Sequence, residues 1–327
     1  MKMEDIRGRI GRVPDAFRVA EIVPHVAVLL PCYNEEVAIA QTVAAFREAL
    51  PGASIYVYDN RSTDRTAEVA RAAGAIVRAE PYPGKGSTVR RMFADVEADV
   101  YVLADGDATY HAPSAPSMIE ALMDGNLDMV CGARRDRETE AYRRGHRFGN
   151  RLLTGLVSTL FGRRFDDMLT GYRVLSRRFV KSFPSASRGF EIETELTVHA
   201  LQLRLPAAEV ETPYAARPEN SFSKLGTFRD GFRILRTIGV LVKEEKPLQF
   251  FSALAALMFL PSALVFASVL GEFMATGLVD RMPSLFASLS GLILAALSLA
   301  CAMILDSIAR GRRELRYMNY LRFEAPR

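Results

Sequence analysis

Two uninterrupted apolar runs near the C-terminus constrain this chain more than any other feature. Residues 250–269, FFSALAALMFLPSALVFASV, and residues 283–305, PSLFASLSGLILAALSLACAMIL, contain no charged side chain. Each is about 20 residues long, the length that carries a helix across a hydrocarbon core. Pro261 falls inside the first run, and membrane helices tolerate proline because neighbouring groups re-satisfy the freed backbone. The flanks give a direction. Lys243 and Lys246 precede the first run and Arg310, Arg312, Arg313 and Arg316 follow the second, whereas the connection holds Glu272 and Asp280 against a single Arg281. Positive charge on the side of both termini places everything before residue 250 in the cytoplasm. The expectation is a multi-pass protein of the inner (cytoplasmic) membrane: a transmembrane hairpin over 249–309, a basic cytoplasmic tail over 310–327, and a cytoplasmic domain in front. A pair of buried core helices is the alternative that the length criterion disfavours.

The chain has 327 residues, so the part before the hairpin is long enough to bury a real core. A formal charge of +4 is too small for a general nucleic-acid binder, and no nucleic-acid partner is expected. Cys32, Cys131 and Cys301 are odd in number and form no CxxC pair, which suggests neither a disulfide framework nor a zinc site. Four scattered histidines argue against a histidine-built metal centre. Residues 1–24 alternate charged and apolar side chains without the apolar core of a secretory signal, and read as an N-terminal arm.

Between them, residues 25–228 read as one α/β domain. HVAVLLPCYN opens with a strand over 26–30, and EEVAIAQTVAAFREAL follows with apolar residues at helical spacing and acidic residues in its first turn. SIYVYDN is a second strand, and STDRTAEVARAAG a second helix with Ser62 or Thr63 as its cap and Gly74 as its stop. AIVRAE is a third strand, GKGSTVRRMFADVEA a third helix, and DVYVLAD a fourth strand. Strands alternating with helices through brief turns predict a mostly parallel sheet covered by helices, with ligands beyond the carboxyl ends of its strands. Asn34 and Glu35 follow the first strand, Asp59 and Asn60 the second, Gly84 and Lys85 precede the third helix, and Asp105 and Asp107 close the fourth strand. An Asp-Gly-Asp triplet alone is an ordinary turn. Four loops converging on one rim make it part of a ligand site.

PCYNEE, YDNRSTDRT, DGD and DMLTGYRVLSRR, in this order, resemble the inverting family 2 glycosyltransferases with a GT-A fold. Within that family the chain is similar to the polyprenyl-phosphate glycosyltransferases, the group of dolichyl-phosphate mannose synthase and its bacterial relatives. ARPENSFSKL, a basic helix over 229–248 suited to a lipid headgroup layer, and the two apolar runs match that group's ending.

The resemblance implies a nucleotide-diphosphate sugar donor, a polyprenyl phosphate acceptor at the bilayer, and Mg²⁺ or Mn²⁺ as cofactor. Asp105 and Asp107 are the implied metal ligands, hard oxygens suited to such a cation, with Asp107 implied as the main ligand and Asp105 nearer the ribose or the metal. Asp59 is implied to hydrogen-bond the base or ribose, and Pro31, Tyr33, Asn34 and Glu35 to line the nucleotide pocket. Lys85 is expected among the nucleotide-binding residues of the rim, and Arg217 and Lys224 in a loop that closes over the diphosphate or the acceptor. Arg134 and Arg147 match the family's clamp on the acceptor phosphate, in keeping with the paired donors of a guanidinium. A phosphate acceptor is already anionic, so Asp167 is assigned to positioning or to the sugar rather than to proton removal. Two departures stand out. Asn60 sits where relatives often have a second carboxylate, and Thr109 where many carry a glutamine.

A uridine donor is expected from the wider family, with guanosine as the alternative. A processive polysaccharide synthase is disfavoured because its Gln-x-x-Arg-Trp motif needs a tryptophan and this chain has none. A catalytically degenerate membrane adaptor is disfavoured by the presence of both Asp105 and Asp107. A hairpin that packs against copies of itself is compatible with a dimer or tetramer.

Overall fold

The computed structural model describes residues 24–136, 165, 167–184, 192–215, 239–240 and 242–326. Seven strands form one sheet: β1 (Val26–Cys32), β2 (Ser54–Asp59), β3 (Ile76–Ala79), β4 (Val100–Leu103), β5 (Met129–Asp136), β6 (Arg173–Ser176) and β7 (Ala207–Tyr214). Their spatial order is β3-β2-β1-β4-β6-β5-β7. The first four run parallel, β6 runs antiparallel between β4 and β5, and β7 lies parallel to β5. β1 and β4 are central and covered on both faces, which is why VAVLL and VYVL read as continuous apolar runs rather than alternating ones.

Alternate residues still separate the two layers of the core. Val28, Leu30, Val57 and Val102 face α1 (Ile39–Ala49) and α4 (Ala115–Asp124), where Phe46 and Met118 meet them. Leu29, Tyr101 and Leu103 face the opposite layer of α3 (Lys85–Asp95), α5 (Arg177–Ser182) and α6 (Ile192–Gln202), through Met92, Phe179 and Leu196. The period-2 geometry of a strand makes that division.

Two helix starts differ from the sequence expectation for one reason: loops β1–α1 and β2–α2 bond to each other. α1 begins at Ile39, so Glu35 and Glu36 precede it and no acidic residue lies in its first turn. Their N–H groups donate to Thr66 Oγ1 at 2.8 Å and Asp64 Oδ2 at 3.2 Å. α2 (Thr66–Ala72) likewise starts beyond Ser62 and Thr63, which bind Asn34 instead of capping. Gly74 does end α2, at φ 85°, a left-handed conformation that suits glycine.

α7 (Pro247–Thr276) and α8 (Met282–Tyr320) are both long and apolar enough to cross a membrane by length and composition. At 1.5 Å per residue they measure roughly 45 and 58 Å. They pack as a hairpin whose backbones approach closely at Gly291, where a Cβ would collide with Ser262 Oγ. Leu257, Leu264, Met274, Phe286 and Ile293 point outward, each more than 60 % exposed. α8 continues unbroken past the apolar run and docks on the α/β domain. There Tyr320 donates to the buried Asp128 carboxylate at 2.9 Å, and Arg178 lies 4.8 Å above the Tyr320 ring. The helix expected over 229–248 falls largely outside the described residues, as does the N-terminal arm except for residue 24.

Candidate active site

The carboxyl ends of β1, β2 and β4 deliver three loops to one rim, and the residues behind them settle what each loop can do. Asn34 has φ 54°; its N–H donates to Ser62 Oγ at 2.9 Å and its Oδ1 accepts from Thr63 N at 2.7 Å. It ties the first loop to the second. Glu35 is buried and Tyr33 is 47 % exposed, standing over the rim. Pro31 pairs with Tyr58 inside the β1–β2 ladder.

Asp59 ends β2. Its Oδ2 accepts from Ser62 N at 3.3 Å, while its Oδ1 is buried with no hydrogen-bond partner among the described residues. A buried acceptor without a donor is costly, so this oxygen fits a ligand that donates to it, such as a base or ribose. Asn60 explains the first departure from the family pattern. Its amide nitrogen donates to the carbonyls of Glu80 at 3.1 Å and Tyr82 at 2.7 Å, and its oxygen accepts from Gly84 N at 2.7 Å. A carboxylate cannot donate to two carbonyls. Asn60→Asp is therefore expected to loosen residues 80–84 and to weaken nucleotide-diphosphate binding about 10-fold, for a loss of about 1–2 kcal/mol of hydrogen bonding. Calorimetric titration of the variant with nucleoside diphosphate checks this; wild-type affinity would refute the role.

The Asp-Gly-Asp triplet is not a solvated turn. A Cβ on Gly106 would collide with Cys32 Sγ, so only glycine lets this loop press against β1. Asp107 is 2 % exposed, and Thr109 donates to its Oδ1 from the hydroxyl at 2.6 Å and from N–H at 3.2 Å. Thr109, the second departure, thus orients Asp107. Asp105 pairs with Lys85 at 2.5 Å, and the same ammonium pairs with Glu193 at 2.5 Å. Burial works against the Lys85 charge, but Asp105 and Glu193 outweigh it and hold its pKa above the ordinary lysine value.

The far half of the sheet closes the rim. Tyr110, Tyr172 and Tyr214 form an aromatic wall, with centroids 5.3 Å apart for Tyr110–Tyr172 and 5.5 Å for Tyr110–Tyr214. Tyr110 hydroxyl accepts from Gly171 N at 2.8 Å. Arg134, on β5, donates to Asp167 through Nε at 2.6 Å and Nη2 at 2.8 Å, and lies 5.5 Å above the Tyr214 ring. Asp167 therefore fixes a guanidinium beside the wall, a bidentate geometry that only arginine provides. Ala215 N donates to Thr109 carbonyl at 3.0 Å, so β7 ends against the Asp-Gly-Asp loop. Arg147, Arg217 and Lys224 lie outside the described residues.

Two participants were not expected from the sequence, and a third feature is a contact between two residues that were, Lys85 at the rim and Glu193 on the acceptor side. Gly171 packs where a Cβ would come within 3.0 Å of Lys85 Nζ and 3.1 Å of Asp105 Oδ2. Arg173, fully buried, ties the 168–170 turn to α6. The Glu193–Lys85 pair joins α6 to α3. The quoted TGYR stretch contained the first two, but no spacing rule says which neighbours a loop glycine or a buried arginine will meet.

For a divalent cation, the described residues contain no cluster of three or more His, Cys, Asp or Glu side chains. Asp105 and Asp107 fit a cation held by one or two carboxylates and completed by phosphate oxygens, the usual arrangement for Mg²⁺ at nucleotide sites. They do not form a cage that would hold it alone.

Comparison with known proteins agrees with this geometry. Residues 27–182 match the family described as Glycosyl transferase family 2. Glycosyltransferase AglJ of Haloferax volcanii is 35 % identical over 230 residues, 70 % of this chain and 75 % of the relative. The dolichyl-phosphate hexose transferase of the same organism is 30 % identical over 220 residues, 67 % of this chain and 95 % of the relative. Among solved structures, glucosyl-3-phosphoglycerate synthase of Mycobacterium tuberculosis in complex with Mn²⁺ and uridine-diphosphate-glucose superposes with a TM-score of 0.55 at 25 % identity, covering 66 % of this chain and 79 % of the other.

Proposed function

This chain belongs to the family 2 glycosyltransferases and has their GT-A fold, and on that premise we propose that it transfers a sugar from a nucleotide-diphosphate sugar, with uridine as the base, to a polyprenyl phosphate at the cytoplasmic leaflet. The observation that carries the reading is that α8, apolar enough to cross a membrane, docks through Tyr320 on Asp128 of the same α/β domain whose strand ends form the rim. A relative that acts as a dolichyl-phosphate hexose transferase, matched over 95 % of its length, supports the lipid acceptor. A structural neighbour bound to uridine-diphosphate-glucose and Mn²⁺ supports the donor class.

The residues divide the work as follows. Asp59 Oδ1 accepts a hydrogen bond from the base or ribose, with Tyr33, Pro31 and Glu35 around it. Asp105 and Asp107 would hold Mg²⁺ or Mn²⁺, which supplies charge neutralisation of the departing diphosphate. Asp167 orients Arg134 for the acceptor phosphate, and the family resemblance assigns Arg147 to the same phosphate. It likewise assigns Arg217 and Lys224 to the diphosphate or the acceptor. The acceptor oxygen is already anionic, so it attacks the anomeric carbon in line as the diphosphate leaves, with no proton to remove. One displacement inverts the centre and gives a β-linked product from an α-linked donor.

The test uses full-length protein in membranes with labelled nucleotide sugars, polyprenyl phosphate and Mn²⁺ or Mg²⁺. An organic-extractable, mild-acid-labile sugar lipid is expected from a uridine-diphosphate sugar. Its absence across uridine and guanosine donors would refute the proposal, and label appearing only on a water-soluble phosphate such as phosphoglycerate would replace the acceptor.

A further inference from the structure

The rim carries a cation of its own. Lys85 Nζ lies 2.5 Å from Asp105 Oδ1 and 2.5 Å from Glu193 Oε1. The Lys85 side chain is 10 % exposed and that of Glu193 7 %, against 28 % for Asp105, so the ammonium is set beneath the carboxylate that faces the opening. Its place is fixed on several sides. Lys85 opens α3, entered through Gly84 at φ 115°, and Gly171 backs it closely enough that a Cβ there would stand 3.0 Å from Nζ. Glu193 sits on α6, whose backbone carbonyl at the same residue accepts from buried Arg173 at 2.9 Å.

Hard divalent cations bind carboxylate oxygens at about 2.0–2.6 Å, the range in which Nζ stands from Asp105. A carboxylate shared by an ammonium and a dication holds each more weakly, and the two cations repel at such separations. A diphosphate changes the balance, because its oxygens give both cations further anionic partners. Resting on the donor site proposed above, we propose that Lys85, anchored by Glu193, competes with the divalent metal for Asp105, and that this competition makes metal loading depend on the nucleotide diphosphate. Metal and donor then enter together, and a nucleoside monophosphate, which lacks the second phosphate, does not recruit the metal. Lys85 and Glu193 act here as positioning residues through Asp105.

The test reads metal binding directly. Mn²⁺ is titrated into the full chain in detergent and the free ion is followed by electron paramagnetic resonance, alone and with UDP, GDP or UMP. For the wild type, UDP or GDP is expected to tighten Mn²⁺ binding at least about 10-fold and UMP to leave it unchanged, within the ordinary range of coupling between sites. The decisive variant is Lys85→Gln/Glu193→Gln. It removes one positive and one negative charge, so the cluster of Asp105, Lys85 and Glu193 keeps its formal net charge and bulk attraction for Mn²⁺ is unaltered. Competition predicts that this variant binds Mn²⁺ without nucleotide at least about 5-fold more tightly than the wild type, shrinking the nucleotide effect. Unchanged or weaker binding overturns the inference while leaving the donor site intact. Lys85→Met/Glu193→Gln provides the same reading if the first pair melts non-cooperatively. If the wild type takes up no Mn²⁺ with either diphosphate, the donor-site assignment itself fails, and the competition fails with it.

Discussion

Replacing Asp107 by alanine is expected to lower sugar transfer about 10²–10³-fold, the cost of removing one well-placed electrostatic contact to a developing charge. The expectation follows from the environment of the side chain. Asp107 is 2 % exposed and oriented by two donors from Thr109, so its carboxylate is held in one direction before any donor arrives. A neighbouring carboxylate cannot rotate in to replace it, because Asp105 is held by Lys85. Loss of the Asp107 carboxylate should remove the metal dependence along with the rate, since a single remaining carboxylate shared with an ammonium is a poor anchor. Folding should be little affected: alanine leaves the Thr109 hydroxyl and N–H to find other acceptors, at about 1 kcal/mol each. Initial rates at saturating donor, with and without Mn²⁺, and a melting curve of the same preparation test all three points. A variant that keeps more than a tenth of the wild-type rate and still responds to Mn²⁺ would remove Asp107 from the reaction. Thr109→Val should show a smaller loss in the same direction, because the carboxylate remains but is no longer aimed.

The near half of this molecule is legible from sequence and the far half is not, for a physical reason. β1, β2 and β4 with their helices form repeated strand-helix units, and each polar loop residue follows directly from where its strand stops. Asp59, Lys85, Asp105 and Asp107 therefore fall on one rim once a parallel sheet is assumed. β6 breaks the repetition. It inserts antiparallel between β4 and β5, so residues 167–173 arrive at the site from the opposite direction, and pairwise contacts such as Arg134–Asp167 depend on that reversal. Asp167 and Arg134 could be nominated separately; that they grip each other is a consequence of topology. The same holds for Asn34 with Ser62 and Thr63, where hydrogen bonds between two loops override the cap pattern that each loop shows alone. At the C-terminus, the arginines after residue 309 read as a tail because periodicity ends with the apolar run. The helix nevertheless continues, since Arg316 pairs with Glu245 at 3.0 Å and Tyr320 with Asp128, contacts to partners far away in the chain.

Arg173→Met is expected to lower the melting midpoint by roughly 10 °C, from a loss of about 3–5 kcal/mol, with sugar transfer falling in parallel. Arg173 begins β6 and is fully buried. Its guanidinium donates to the carbonyls of Thr170 at 3.1 Å, Met168 at 2.8 Å and Glu193 at 2.9 Å, and to Thr197 Oγ1 at 2.9 Å, with Met129 Sδ at 3.3 Å from Nη1. A methionine of similar reach fills the space but leaves these acceptors in a dry interior without a donor, each costing about 1–3 kcal/mol before relaxation. The acceptors belong to two segments that frame the site: the 168–170 turn next to Asp167 and Gly171, and the α6 start that carries Glu193. Losing the fork should let both drift, so the Arg134–Asp167 and Lys85–Glu193 pairs loosen together. Arg173→Lys separates charge from geometry. Its single ammonium can reach two of the acceptors, so it should recover about half of the melting shift while transfer remains impaired, because the turn and the helix are no longer bound to one rigid plane. A methionine variant that melts like the wild type would show that the guanidinium does not hold these segments. A lysine variant with full activity would show that their alignment does not depend on the fork.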